Sequence, residues 1–594
     1  MGLKRVVAAG LALLATGTML MPAVRAQEAT PSGEEDLVLR IGTDEDMVTD
    51  NPLFLCCAEF ETFNNTYDKL IEFDPADLSA GTGGLSEGCV PNDDSMVWTC
   101  ELKEGLKWSD GEPLTAEDVV WTYEFLIENS IPAYRSYFPF KPTFEAQGDR
   151  TFIWKSEKPT FAPIVPPYVY ILPKHIWEVH EGKEKSELKS IRNTPAVGSG
   201  PFILTEWEKG EFWKLTRNPY WRGPELAVDE ILYDVYSNEE AMVSDFKSGQ
   251  LDALSEVNTT LATSLEGEPD VVVHRVISDW WLNFAFNFGQ GSDPSNHPAI
   301  QDRVFREAIA HAIDRETIAE RAYPGAGVAG DTVVRPASAF WHLDIPAEEE
   351  YAFDPELSRT MLEEAGYVDS DGDGVREDPK SGEPLVLEVP VSQATAGAVA
   401  ASQMITQWLD DVGVKMVASS VGEGKMYDHW NVGDYDAYIW YWYGDPDPDF
   451  QLSVFTSDQC GGWSDGCFSD PTFDDMYEAQ RGMLDFEERQ QAVYEAQRYL
   501  YEQIPGFVLA YPGTSQAYRT DRLDGWTFSP GEQGYVVYGY GNFQYLGIDL
   551  KEGAVAAPPA QGLSSAVWIA LGAGLVLVAA LVIVVGRRRR SEEA

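Results

Sequence analysis

Hydrophobic and polar positions along this chain alternate between two periods. Leu37 to Ile41 reads apolar-polar at period two, as a half-buried strand does. Glu59 to Leu70 reads as a helix, and Cys89 to Lys107 as two antiparallel strands around the turn Asn92-Asp93-Asp94. Ala116 to Glu128 places Val119, Val120, Tyr123 and Leu126 roughly on one helical face. Thr115 stands where a cap belongs, with Asp118 at the third helical position. Trp280 to Phe288 (WWLNFAFNF) is a strand-like run, followed by helical patterns over Val304 to Tyr323 and Glu356 to Ala365. The latter stops at Gly366, a residue suited to a helix C-terminus. Leu385 to Val389 reads as a strand, and Ala398 to Leu409 as an amphipathic helix. Two more helices, Asp474 to Leu484 and Glu487 to Gln503, precede the apolar run Phe507 to Tyr511. Strands alternating with helices predict α/β lobes.

One stretch joins this pattern to chemistry. Ile439-Trp440-Tyr441-Trp442-Tyr443 reads as a short buried strand that stops at Gly444-Asp445-Pro446. Gly and Pro force a turn there, so a rigid strand delivers the Asp445 carboxylate to a loop. That is one way to build a recognition site for a cationic group on a small molecule; a buried strand ending in a solvated acidic turn reads equally well from these residues.

The chain has 594 residues, too many for one simple core, so at least two lobes are expected. Its ends are of a different kind. Lys4 and Arg5 precede an apolar run from Val6 to Leu20, and small residues end at Ala26, which predicts a signal peptide over 1–26. Ala566 to Val585 carries no charge and is followed by Arg587 to Arg590, which predicts a transmembrane helix over 566–586 with the short tail 587–594 in the cytoplasm. The Pro-containing segment 554–565 reads as a linker. The binding region is therefore expected outside the membrane, on the periplasmic or cell-surface side.

A formal net charge of −54 makes nucleic acid and anionic membrane surfaces poor partners. The six cysteines fall in an oxidising compartment, where Cys89 with Cys100 and Cys460 with Cys467 are plausible local disulfides; Cys56 and Cys57 stay unassigned. Asp369-Ser370-Asp371-Gly372-Asp373-Gly374 matches the first half of a calcium loop, but Lys380 occupies its twelfth position, with Glu377 and Asp378 near enough to substitute; a plain surface turn is the simpler reading. The seven His residues show no metal-ligand spacing, and no cofactor is expected. No HExxH or P-loop is present, and the GxSxG strings at Gly84 to Gly88 and Gly462 to Gly466 lie beside cysteines in turn-like stretches and not in the strand-turn-helix setting of a nucleophile elbow, so no enzyme is expected, and Gly198-Ser199-Gly200-Pro201 reads as a structural turn.

Many short strings stand together in one order: Thr66-Tyr67-Asp68-Lys69-Leu70, Leu102 through Gly111 (LKEGLKWSDG), Leu114 through Val120 (LTAEDVV), Leu172-Pro173-Lys174-His175, Val197 through Phe202 (VGSGPF) and Arg217-Asn218-Pro219. Phe246 through Asp252 (FKSGQLD), Val304 through Ile309 (VFREAI) and His311 through Arg315 (HAIDR) continue the series. In these the chain resembles the extracytoplasmic solute-binding proteins of family 5, receptors of ATP-binding-cassette importers for peptides, nickel and related solutes. The resemblance implies a two-lobe, periplasmic-binding-protein-like α/β fold of the large type II class, with an extra subdomain in the first lobe. On this chain that becomes lobe I at 27–282 with the subdomain at about 72–195, lobe II at 283–507, and a return to lobe I at 508–553.

It also implies a monomeric receptor that closes on a peptide-like ligand and delivers it to permease subunits served by a separate ATPase. In peptide-binding members an Asp in a Gly-Asp turn after an aromatic strand pairs with the ligand's α-amino group, which here falls on Gly444 and Asp445. Trp440, Trp442 and Tyr443 are neighbouring candidates for the ligand pocket, with strand alternation sending some of them into the core. Trp281 and Asn283 on the crossing strand form a second tier. Pro446 directly after Asp445 departs from the usual spacing of that loop. A non-peptide solute such as a nickel chelate or sugar is the alternative ligand, and a surface sensor or a hydrolase the alternative roles.

Overall fold

Apolar strands collect into two large sheets, and the chain passes between them twice. The computed structural model describes residues 36–554 except 55–57, 77–82, 162–168, 532–533, 538 and 540. The expected signal peptide, the Cys56 and Cys57 pair, most of the linker and the expected transmembrane helix lie outside the described residues. Among the described residues no helix is long and apolar enough to cross a membrane.

Lobe I is built on a seven-stranded sheet whose spatial order is Val271–Ile277, Gly513–Arg519, Ala253–Val257, Val38–Thr43, Glu230–Val235, Phe212–Arg217 and Phe202–Glu208. Val38–Thr43 runs parallel to both of its neighbours, and Leu39 and Ile41 are fully buried. A four-stranded antiparallel sheet, in the order Ser86–Pro91, Val97–Leu102, Thr151–Lys155 and Thr143–Gln147, forms the added subdomain. Its aromatic residues share one continuous core with the large sheet. Cys89 and Cys100 sit directly opposite one another on the first two strands and are joined as a disulfide.

Lobe II carries a six-stranded sheet in the order Val328–Ala329, Gly506–Tyr511, Trp280–Phe286, Ala437–Tyr443, Val386–Ser392 and Lys415–Val421. Separate apolar cores cover its two faces. Helices Ala396–Asp411, Pro471–Arg481 and Phe486–Gln503 fall where the apolar periodicity predicts them. The pattern over Val304 to Tyr323 instead gives two helices, Arg303–His311 and Arg315–Ala322. The break is local: the Asp314 carboxylate accepts from the Thr317 backbone N–H at 2.9 Å and starts a new helix where apolar spacing alone shows continuity.

The expected boundaries at 282/283 and 507/508 fall inside strands of the lobe II sheet. Trp280–Phe286 and Gly506–Tyr511 both lie wholly within that sheet, and the chain changes sheets at Ser278-Asp279 and again at Pro512. The two crossings touch, since the Ser278 N–H donates to the Pro512 carbonyl at 2.8 Å. Short crossings held together in this way suit a hinge.

Candidate functional site

Strand register sorts the aromatic candidates onto two faces. Ala437–Tyr443 pairs antiparallel with Trp280–Phe286, so Trp442 faces Trp281, Trp440 faces Asn283 and Tyr443 faces Trp280. Residues directly opposite share a face, which places Trp281, Asn283, Trp440 and Trp442 on one side and Tyr443 on the other. The first four lie in the interior of lobe II, each less than 9% exposed. Trp440 packs edge-on against Tyr427 and Trp430. The Trp442 indole N–H donates to Asp465 at 3.3 Å, while Asn283 Nδ2 donates to the same carboxylate at 2.5 Å and the Tyr438 hydroxyl also donates to it. Burial pushes the Asp465 carboxyl up to about 7, with the Asn283 bond pulling the other way. These contacts describe a polar knot inside the lobe, a feature to which the local sequence around Asp465 gives no clue.

Gly444 and Asp445 leave this face. The Gly444 N–H donates to the carbonyl of Asp279 at 2.7 Å, tying the turn to the first crossing. A side chain at 444 would start 3.0 Å from Gln451 Nε2, 3.2 Å from Arg335 Nε and 3.4 Å from the Trp281 ring, so even a methyl group would press these neighbours aside by a few tenths of an ångström. Gln451 Nε2 also donates to the Asp445 carbonyl at 2.7 Å, which fixes the loop after Pro446.

The Asp445 carboxylate points across to lobe I, where the Tyr137 hydroxyl donates to it at 3.0 Å. Part of its surface stays open, but protein surrounds it closely enough that burial pushes the carboxyl up to about 7. The Tyr137 bond lowers it, Asp447 raises it, buried Arg335 lowers it and Asp449 raises it.

The two acids that follow have other work. Asp447 is held by Arg489 in a buried bidentate pair at 2.5 and 2.7 Å. Asp449 accepts from Tyr477 at 3.2 Å and from Gln480 at 3.0 Å, and lies 3.1 Å from Arg481 Nε. Both arginines also reach lobe I. The Arg489 guanidinium lies 3.7 Å from the Phe161 ring centre and Arg481 5.2 Å from that of Phe140. Lys158 of lobe I pairs with Glu478 of lobe II at 3.4 Å. Tyr137, Phe140, Lys158 and Phe161 all belong to the added subdomain, so it faces the Asp445 loop. Sequence reading missed all four, because only the closure of the lobes brings them near residue 445.

Tyr443, 58% exposed, lies on the opposite face of the strand from Trp442. Its hydroxyl is pushed up by burial first, then by the nearby charges of Asp279, Glu45 and Glu256. Glu45 and Glu256 come from lobe I, Asp279 from the crossing. Burial and the neighbouring Glu256, Asp44, Glu59 and Asp279 raise the Glu45 carboxyl to about 7. The surroundings of Tyr443 are acidic, with Asp44 and Glu45 extending from the end of the parallel strand Val38–Thr43.

Two other groupings of side chains could hold a metal ion. Ligand atoms of Asp369, Asp371, Asp373 and Glu377 come within 4.8 Å of one another, with Glu377 rather than Asp378 completing the set. Asp378 is engaged instead with the backbone N–H groups of Lys380 and Ser381. Asp331, His342 and Asp344 form the second grouping. A disulfide joins Cys460 to Cys467, as their spacing around the tight loop suggests.

Residues 82–463, well over half of the chain, match the family described as bacterial extracellular solute-binding proteins, family 5 Middle. The oligopeptide-binding protein AppA of Bacillus subtilis is 24% identical over 448 residues, covering 73% of this chain and 80% of that protein. The solved structure of AppA from Bacillus subtilis in complex with a nonapeptide superposes with a TM-score of 0.68 at 21% identity, covering 87% of this chain and all of that one. NikZ from Campylobacter jejuni in complex with Ni(L-His) gives the same TM-score and identity, covering 86% of this chain and 99% of its own. Likeness at this identity shows the shared fold, and it spans structures holding very different ligands. By its sequence match and its two-lobe architecture, the chain belongs to the bacterial extracellular solute-binding proteins of family 5.

Proposed function

We propose that this protein is the peptide-capturing receptor of an ATP-binding-cassette importer, with Asp445 as the anchor for the ligand's ammonium group. The observation that carries the reading is the position of Asp445: a loop carboxylate of lobe II, at the hinge-tethered end of the strand Ala437–Tyr443, directed at Tyr137 of lobe I. An ammonium entering there gains a charge-assisted bond from one lobe while the other lobe closes over it. Contacts made with both lobes favour the closed state, which is how such a receptor reports that it is loaded. Tyr137 then serves as a hydroxyl that holds the carboxylate until the ligand arrives. Tyr443 and Gly444 border the same cleft, and the acids Glu45, Glu256 and Asp279 favour cationic ligands over anionic ones. Trp281, Asn283, Trp440 and Trp442 act by holding the strand and its turn in place.

Delivery requires a permease and a separate ATPase. In this reading residues 566–586 tether the receptor to the membrane as a single span, with the binding lobes outside and the tail 587–594 within.

Native mass spectrometry of the purified protein tests the ligand class. A family of bound masses that fragment as short peptides supports the reading, provided that they are lost from Asp445→Asn. A single non-peptide mass or a metal chelate, retained equally by Asp445→Asn, overturns the peptide assignment and leaves the family membership standing.

A further inference from the structure

A second site, in lobe II, follows from the surroundings of His342. The ring Nδ1 lies 2.6 Å from the carbonyl oxygen of Val334. A carbonyl only accepts, so Nδ1 carries a proton, and in the neutral ring Nε2 presents a lone pair. That lone pair faces a carboxylate: Nε2 is 3.4 Å from Asp331 Oδ2. The pair calls for a positive charge between the two atoms, either a second ring proton that makes it an ion pair or a metal ion bound by both, and the separation distinguishes them. A direct ionic hydrogen bond would draw the atoms to about 2.7–2.9 Å. Two ligands of one tetrahedral ion, each about 2.0–2.1 Å from the metal, instead stand about 3.3–3.4 Å apart.

The rest of the environment is that of a prepared ligand set. Asp331 Oδ1 is already occupied, accepting from the Tyr511 hydroxyl and the Thr332 backbone N–H at 2.5 Å each, which leaves Oδ2 to face the imidazole. Asp344 supplies a third oxygen, with one ligand atom from each of the three residues lying within 4.8 Å of the others. His342 and Asp331 are largely buried, with side chains 12% and 19% exposed, while Asp344 is open to solvent and gives an ion its entry. Outer bonds of this kind, a carbonyl on the distal imidazole nitrogen and donors on the second carboxylate oxygen, orient ligands and tune the bound ion.

We propose that His342 Nε2, Asp331 Oδ2 and a carboxylate oxygen of Asp344 bind a divalent transition ion of the zinc type, with water in the fourth position. One nitrogen and two anionic oxygens suit zinc, and its two charges balance the two carboxylates. Tyr511 ends the strand that leads into the second crossing at Pro512, so the ion braces the segment 331–344 against the base of that crossing. The assignment does not rest on the reading given for the ligand cleft, although Arg335 of the same segment lies beside Gly444.

The test uses the purified full chain, stripped with a chelator and titrated with Zn2+ by calorimetry and with Co2+ by visible absorption. The expected result is one saturable equivalent at this site and the intense bands of four-coordinate Co2+. Asp344→Asn and His342→Gln abolish both signals, Tyr511→Phe weakens Zn2+ by about 10–100-fold, and Asp371→Asn leaves them unchanged. Should His342→Gln fail to fold, exposed Asp344 still answers the question. Absence of a saturable equivalent, undiminished binding by Asp344→Asn, or loss of the Co2+ bands in Asp371→Asn overturns the assignment.

Discussion

Replacing Asp445 by Asn removes a charge and keeps the shape, which isolates the electrostatic part of ligand capture. Truncating one partner of a buried charged pair at an interface costs about 2–5 kcal/mol. Asp445 keeps part of its surface open and already has a hydroxyl partner in Tyr137, so the lower part of that range applies. A loss of about 2–3 kcal/mol corresponds to about a 30- to 150-fold rise in Kd. The pH dependence is sharper. With the carboxyl pushed up to about 7 by burial, it must lose a proton before it can hold an ammonium. Affinity therefore rises with pH up to about 7 and levels off above it, changing about tenfold per unit below that point. Between pH 5.5 and 7.5 the wild-type protein should gain about 20- to 30-fold in affinity. The assay is calorimetric titration with a peptide recovered from the purified protein, alongside its N-acetylated form. Asp445→Asn should bind weakly and lose the pH slope, and acetylation should weaken the wild type without further weakening the variant. Equal affinity of wild type and variant for the free peptide, or an unchanged slope in the variant, would refute the assignment of Asp445 as the ammonium anchor.

Three further outcomes can be measured. Arg489→Ala strands the buried Asp447 carboxylate and should lower the stability of lobe II by about 3–5 kcal/mol in denaturant unfolding, whereas exposed Lys158→Ala should cost under about 1 kcal/mol; equal effects would contradict the burial argument. Glu61 and Asp465 are buried with carboxyls pushed up to about 7, so between about pH 4 and 7 the folded state binds more protons than the unfolded one. Stability from these groups is then greatest at the acid end and falls as pH rises through 7, which predicts a higher Tm at pH 5.5 than at pH 8; a lower one would count against it. Gly444→Ala forces Gln451, Arg335 or Trp281 to move and should lower ligand affinity along with Tm; a variant with wild-type binding would show that the turn tolerates displacement.

The sequence by itself determined most of the elements, because apolar period, caps and turn residues act over a few positions. Ala437–Tyr443 with its Gly444-Asp445 stop, the cap of Ala116–Glu128 and the disulfide at Cys460 are local in this sense. The helical pattern over 304–323 resolves into two helices for the same reason: Asp314 caps a second one, a short-range effect that apolar spacing does not register. The site divides in the same way. Asp445 stood out because its strand and its turn are contiguous in the chain. Tyr137, more than 300 residues away, and the acids Glu45, Glu256 and Asp279 have no local mark and become partners only when the two sheets meet across the crossings. Which aromatic residues share a face was likewise settled by pairing register, which put Tyr443 on one face of the sheet and Trp442 on the other. The ligand set at Asp331, His342 and Asp344 belongs to the same class, since one oxygen of Asp331 is filled by Tyr511, 180 residues further along the chain. Chain-local chemistry fixes what a segment can become, and long-range packing decides which of its polar atoms are left facing one another.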